Sequence, residues 1–235
     1  MDFGGRHIVV TGGAGALGTA VVAALLEAGA ACRVPCFDDA EAKRFRLRDH
    51  KQVEVMVAGN LAEPAVVSRV FEGLPPLWAS IHIAGGFAFA ALRDADVATI
   101  RQQVDMNFLS CILCCRAAVQ AMTAGTPGAG GRIVHIAARP ALEWRSGANM
   151  AAYAASKTAV AALTVALSEE VAKDGILVNA VAPSTMDTQA NRQAMPKADF
   201  ALWPKVKEVA ATILFLASPD NRVTRGAIVP VYGKS

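Results

Sequence analysis

The sequence predicts an α/β protein with a doubly wound, mostly parallel sheet of seven strands and helices on both faces. Three observations carry this reading. Short apolar, often β-branched runs alternate with stretches of helical periodicity along nearly the whole chain. The strand candidates are apolar on both faces, as strands covered by helices on each side must be. A glycine cluster, Thr11-Gly12-Gly13-Ala14-Gly15-Ala16-Leu17-Gly18, stands where the first strand candidate gives way to the first helix candidate.

In order along the chain, Ile8-Val9-Val10 reads as the first strand, and Leu17, Ala20, Val21, Ala24 and Leu25 then recur at helical spacing. Gly29 is placed to end that helix. Residues 31–37 read as the second strand, and 53–57 alternate as a third. A helix is predicted over 63–72. Further strands are predicted at 80–84, 132–137, 177–182 and 228–232, separated by helices over 97–122, 150–173 and 205–217. Right-handed crossovers place those helices on both faces of the sheet. The glycine-rich stretch 125–131 reads as a loop before a strand. No repeat or linker is legible, so residues 1–235 are expected to form a single domain.

Composition narrows the function classes. A chain of 235 residues that is 54% hydrophobic fills one sizeable core. Residues 1–7 lack the apolar stretch of a signal peptide, and no run of roughly 18 uncharged apolar residues follows, so a cytoplasmic protein with no membrane partner is expected. The net charge of +3 is mild and its basic residues are scattered, which argues against nucleic acid as a partner. Five cysteines without metal-site spacing read as reduced thiols. Cys111, Cys114 and Cys115 have i, i+3, i+4 spacing but are expected to pack as small apolar residues, and no metal site is expected. His82 and His135, within strand candidates, are expected to be hydrogen-bonded core residues.

The glycine cluster carries the first chemistry. Between a strand and a helix N-terminus, backbone N–H groups and the helix dipole can face a pyrophosphate with no Cβ atoms in the way. Gly12, Gly13, Gly15, Ala16, Leu17 and Gly18 are therefore candidate dinucleotide-binding residues, for NAD or NADP. An acidic residue often ends the second strand of such a unit, to bind the adenosine ribose, but Cys36 stands there. Asp38 and Asp39 just beyond would favour NAD, whereas Arg33, Lys43 or Arg44 would accommodate a 2′-phosphate.

Tyr153-Ala154-Ala155-Ser156-Lys157 carries the second. The tyrosine and lysine lie one helical turn apart on one face. A phenol with a pKa near 10 is a poor acid at neutral pH, and an adjacent ammonium stabilises its phenolate.

With these motifs in order, the chain resembles the short-chain dehydrogenase/reductase family over nearly its whole length. Ala84-Gly85-Gly86, Asn107 and residues 183–188 add to the likeness. The resemblance implies a Rossmann-type fold and hydride transfer between a nicotinamide and a small-molecule substrate. Tyr153 would be the proton donor, Lys157 the partner that also binds the nicotinamide ribose, and Asn107 the holder of a relay water. Asn60, Leu61, Ala84, Gly85, Gly86, Pro183, Thr185 and Thr188 would line the cofactor.

Two departures stand out. The family's catalytic serine is Ala138 here, and its Asn-Asn-Ala-Gly turn is His82-Ile83-Ala84-Gly85. Losing one oxyanion donor costs about 3 kcal/mol of transition-state stabilisation, roughly 100-fold in rate. Ser146 and Thr185 are the nearest replacement hydroxyls. A branch that works without the serine is quinonoid dihydropteridine reductase, which this chain resembles at 83–87, at 138–142 and across 187–203. The alternative from another class is a dinucleotide-binding sensor or scaffold without turnover. Residues 187–204, with Met195, Phe200 and Trp203, are expected to form a substrate lid. Small residues Ala151, Ala155, Ala159 and Ala162 suit close helix packing in a homodimer or homotetramer.

Overall fold

A computed structural model describes residues 1–124 and 130–235. The first β/α unit runs as the sequence leads one to expect: β1 (His7–Thr11), the glycine turn, then α1 (Ala16–Glu27), which ends before Gly29 at φ +82°. β2 (Ala31–Cys36), the short α2 (Asp39–Arg44), β3 (Val53–Val57), α3 (Pro64–Phe71) and β4 (Leu77–His82) follow. α4 (Val97–Val104) passes through a π-helical turn, Asp105–Leu109, into α5 (Ser110–Thr123). β5 (Gly131–Ile136), α6 (Arg139–Leu142), α7 (Ala151–Glu170), β6 (Ile176–Pro183), α8 (Gln189–Ala194), α9 (Val206–Ala217) and β7 (Ile228–Val231) complete the chain. Most of the predicted loop at 125–131 lies outside the described residues; Gly131 already belongs to β5.

The seven strands form one parallel sheet in the order β3-β2-β1-β4-β5-β6-β7. The strand order reverses between β1 and β4, and a crevice opens beyond the carboxyl ends of strands at such a switch point. Thr11 ends β1 opposite His82 at the end of β4. Every strand end that positions a candidate site residue therefore lies along this one edge.

Two apolar layers hold the sheet. On one face Val21, Val22 and Leu25 of α1 meet Val209, Ile213 and Leu216 of α9. On the other, Val66 and Val70 of α3, Cys111, Cys115 and Ala118 of α5, and Val160 and Leu167 of α7 pack on Val9, Ile133 and Val178. Each fully buried aliphatic side chain stabilises the fold by about 1.5–3 kcal/mol relative to exposure.

Two helices bear on the expectation that no segment spans a membrane. The continuous helix Val97–Thr123 (mean hydropathy 1.3) and α7 (mean hydropathy 1.2) are both long and apolar enough to cross a membrane. Helical windows tolerate a few polar residues, which a count of uninterrupted apolar residues misses. In this structure both helices lie against the sheet, with Asn107, Ser156, Lys157 and Thr164 among their buried side chains.

Gly18 sets how closely α1 approaches the turn. A Cβ there would overlap the Gly12 carbonyl oxygen and lie 2.5 Å from the Gly13 Cα, with backbone on both sides and no flexible group to yield. Gly18→Ala is expected to cost about 1–3 kcal/mol, by analogy with overpacking, measured as a lower urea midpoint.

Candidate active site

The glycine turn is built by local constraint. Gly12 adopts φ +67°, and a Cβ on it would lie 2.6 Å from the Ala84 nitrogen. The turn thus presses on the turn beyond β4, and the Ala84 N–H donates to Thr11 Oγ1 (3.3 Å). Gly15 is the N-cap of α1 and supplies no side-chain cap. The first N–H groups of a 12-residue helix are left facing the crevice beside exposed Gly15 and Ala16. This is a cradle that a phosphate-bearing group fits, and a Cβ at Gly12 or Gly18 would spoil it.

Asn107 sits at the centre of the π turn, 1% exposed. A π turn widens the helix by one residue per turn and recurs at functional sites. Here it aims both ends of the Asn107 amide at one residue: Oδ1 accepts from the Gly86 N–H (3.0 Å) and Nδ2 donates to the Gly86 carbonyl (3.0 Å). Asn107 therefore clamps the turn after β4. Gln103, one helical turn earlier and also buried, accepts from the Ala88 N–H (3.3 Å) and extends the clamp.

Lys157 Nζ reaches across from α7 to donate to the carbonyl of Ile136, the last residue of β5 (2.8 Å). A Cβ on Gly85 would lie 2.6 Å from Asn107 Oδ1 and 3.4 Å from Lys157 Nζ. Gly85 is thus the floor on which the clamp and the ammonium meet. Burial pulls the Lys157 pKa down to about 8, with Cys111 opposing part of the shift. The ring of Tyr153 meets Phe87 edge-on at 5.0 Å, beside the same turn, and burial pushes its phenol up to about 12. Tyr153, Lys157, Asn107, Gly85 and Gly86 thus gather around the turn after β4.

Other expected contributors are distributed along the same edge. Asn60 and Leu61 lie between β3 and α3, where Asn60 Oδ1 accepts from the Ala62 N–H (3.0 Å) and Leu61 packs on the core. Pro183 closes β6, Thr185 follows half-buried, and Thr188 caps α8 by accepting from the Asn191 N–H (3.2 Å). Across 187–204, Asp187 pairs with Arg192 (2.6 Å), Arg192 stacks on Phe200, and Trp203 is buried.

Two candidates are redirected. Arg33 pairs with Glu54 (2.8 Å) and donates to the carbonyls of Val70 and Glu72, so its guanidinium is committed to the β3 side and not to a 2′-phosphate. Ser146 donates to the Glu143 carbonyl within its own turn (2.7 Å), so its hydroxyl proton is committed there. Asp38 caps α2 by accepting from the Glu41 N–H (2.7 Å).

With this geometry in view, comparison with known proteins is decisive. A family model described as short chain dehydrogenase matches residues 6–199. The chain belongs to the short-chain dehydrogenase family. Galactitol 2-dehydrogenase of Rhizobium johnstonii is 34% identical to it, over 97% of this chain and 93% of the relative. Cis-4-hydroxycyclohexanecarboxylate dehydrogenase of Sinomonas cyclohexanicum is 31% identical, over 98% and 96%. A crystal structure of a short-chain dehydrogenase/reductase family oxidoreductase from Burkholderia thailandensis superposes with a TM-score of 0.86 at 26% identity, covering 97% of this chain and 92% of the other. As a short-chain dehydrogenase, the protein is an oxidoreductase. These relatives support the family and not the narrower dihydropteridine reductase branch.

Sequence reading missed Gln103 and Phe87. Gln103 stands four residues before Asn107 on one helical face, a spacing that was available; the Phe87 contact depends on how the loop folds back. A groove of about 730 Å³ beside α7 is lined by Trp144, Ala151, Ala154, Ala155 and Thr158, and its lining includes neither Tyr153 nor Lys157.

The buried ammonium has a signature in stability. An unfolded chain keeps the lysine proton up to about pH 10.5, whereas the folded chain releases it near 8. Between those values the unfolded state binds more protons, so this contribution rises with pH; the Tyr153 shift acts in the opposite sense only above about pH 10. Wild type is expected to gain about 2 kcal/mol on Lys157→Met between about pH 7 and pH 10. Urea unfolding of both proteins at the two pH values checks this.

Proposed function

We propose that this oxidoreductase transfers a hydride between a nicotinamide dinucleotide and a small carbonyl or conjugated imine-type substrate, with Tyr153 as proton donor. The observation that carries the reading is the meeting of Lys157 Nζ and the Asn107 amide at Gly85, beside Tyr153 and at the switch point of the sheet.

NAD or NADP, when bound, supplies or takes up the hydride. The residues to hold it are Gly12, Gly13, Gly15, Ala16, Leu17 and Gly18 at the uncapped start of α1, Asn60 and Leu61, Ala84 to Gly86, Pro183, Thr185 and Thr188. Lys157 is largely protonated at pH 7 and places its charge one helical turn from the phenol. Tyr153 Oη gives its proton to the substrate oxygen or nitrogen in reduction and regains it in oxidation. The Lys157 ammonium stabilises the phenolate left behind. Asn107 serves by fixing Gly86, since both ends of its amide are engaged there. Phe87, Phe89 and Leu92, exposed on the loop beyond β4, supply apolar surface to exclude water. Residues 187–204 act as the lid, hinged at the strand end.

The absence of a hydroxyl at Ala138 favours a second reading, a quinonoid dihydropterin, whose charge on hydride addition spreads over a ring and needs no local oxygen donor. The pattern across 187–203 supports it. The names of the relatives favour secondary alcohols of sugar-alcohol or alicyclic type instead. Five buried free thiols among the described residues accord with a reducing, cytoplasmic setting. Exposed Ala151, Ala155 and Ala162 with Trp144 at 74% exposure support a homodimer or homotetramer packed through α7.

Tyr153→Phe is expected to lower turnover by about 100-fold or more, since a positioned acid contributes 10²–10⁴, while dinucleotide binding persists. Cofactor absorbance on a panel of sugar alcohols, alicyclic hydroxy acids and a quinonoid dihydropterin reads the first, and nucleotide fluorescence the second. Normal turnover in this variant removes Tyr153 as the acid, and silence of wild type toward every substrate favours the sensor reading. Ala138→Ser is expected to raise ketone reduction by about 10- to 100-fold and leave pterin reduction nearly unchanged.

A further inference from the structure

Beneath the site, four side chains from three elements, β4, α5 and β5, converge in the core. His82 ends β4 and faces His135 of β5 in register, their rings stacked at 5.3 Å. Cys111 and Cys115 descend on them from α5, one helical turn apart. Cys115 Sγ lies 3.0 Å from His135 Nε2 and 3.6 Å from His82 Nδ1, and Cys111 Sγ lies 3.8 Å from His82 Nδ1. All four donor atoms fall within 4.8 Å of one another, and all four residues are buried.

The outer nitrogens are held as metal-bound histidines usually are. Thr164 Oγ1 donates its single hydrogen to the Val160 carbonyl (2.8 Å), so toward His135 Nδ1 (2.8 Å) it accepts. That fixes the proton of a neutral His135 on Nδ1 and turns the bare Nε2 lone pair to the sulfurs. Ser80 Oγ holds His82 Nε2 at 2.7 Å, leaving Nδ1 as the inward atom. Such hydroxyl or carbonyl partners set the tautomer and orientation of ligating imidazoles.

We infer that His82, Cys111, Cys115 and His135 form a closed structural site for a tetrahedral divalent metal, zinc(II) by its donor chemistry. Zinc–sulfur bonds of about 2.3 Å and zinc–nitrogen bonds of about 2.0–2.1 Å put nitrogen and sulfur about 3.5 Å apart in a tetrahedron. The observed 3.0, 3.6 and 3.8 Å straddle that separation. On binding, each thiol loses its proton to solvent, two metal–sulfur and two metal–nitrogen bonds form, and no electron is transferred. Zn²⁺ with two thiolates and two neutral imidazoles is electroneutral, so the centre brings no net charge into the core beside Lys157. Four protein ligands leave no open position, which makes the site structural and separate from the hydride chemistry. It ties β4, β5 and α5 together directly beneath Gly85.

The test is metal analysis of the full chain, purified without chelator or metal-affinity resin, followed by cobalt(II) substitution. One zinc per chain is expected, and the cobalt protein is expected to show thiolate charge-transfer bands in the near ultraviolet and strong tetrahedral ligand-field bands in the red. Cys115→Ser is expected to lose the metal, while Cys114→Ala, in the same helix but outside the donor set, keeps it. Thr164→Val tests the orienting hydroxyl with all four ligands intact and is expected to weaken metal affinity about 10- to 100-fold. If Cys115→Ser does not fold, the wild-type cobalt spectrum and Thr164→Val decide. Wild-type protein without stoichiometric metal and with only weak octahedral cobalt bands overturns the inference, as does a Cys111–Cys115 disulfide found by thiol titration.

Discussion

An ammonium buried to 6% exposure has to be held by something, and in this protein it is held by the carbonyl of Ile136. That one hydrogen bond links α7 to the carboxyl end of β5 and fixes where Lys157 sits against Gly85. The cost of burial shows in a pKa drawn down to about 8, yet the group stays largely charged at neutral pH. Much of the site follows from accommodating it. Gly85 has no side chain because Asn107 and Lys157 occupy the space, and Asn107 can fill that space because a π turn rotates it onto Gly86. Tyr153, one turn before Lys157, is carried to the same turn and meets Phe87.

Most strands were legible along the chain because they are short apolar runs ended by glycine or polar residues, and because parallel strands must be joined by helices of matching length, although β4 runs Leu77–His82 where 80–84 was expected. β5 and β6 appear within a residue or so of where periodicity puts them. The glycine turn and the Tyr153–Lys157 pair were legible for the same reason: their chemistry needs local spacing. What stayed hidden depends on contacts between distant segments. The short helices α2, α6 and α8 have too few turns to establish a periodicity. The π turn at Asn107 leaves no compositional mark. Arg33 looked free for a phosphate because nothing local reveals that Glu54, Val70 and Glu72 fold around it.

The same limit explains the histidines. Each taken alone reads as a core residue, and each is buried and hydrogen-bonded as expected. Only the register of β4 on β5, with α5 laid over both, brings them to Cys111 and Cys115. The four side chains therefore meet in the core below the carboxyl ends of β4 and β5, and nothing in their spacing along the chain marks the meeting.

The central claim is that the half-buried phenol becomes a working acid through the neighbouring ammonium once a dinucleotide occupies the crevice. The chain has two tyrosines, so ultraviolet difference titration of phenolate in wild type and Tyr153→Phe assigns each transition. With oxidised dinucleotide bound, Tyr153 is expected to deprotonate well below its unliganded value of about 12, toward the pH of turnover, and to do so only while Lys157 is present. A Tyr153 transition that stays near 12 in the complex, or that falls equally in Lys157→Met, contradicts the account.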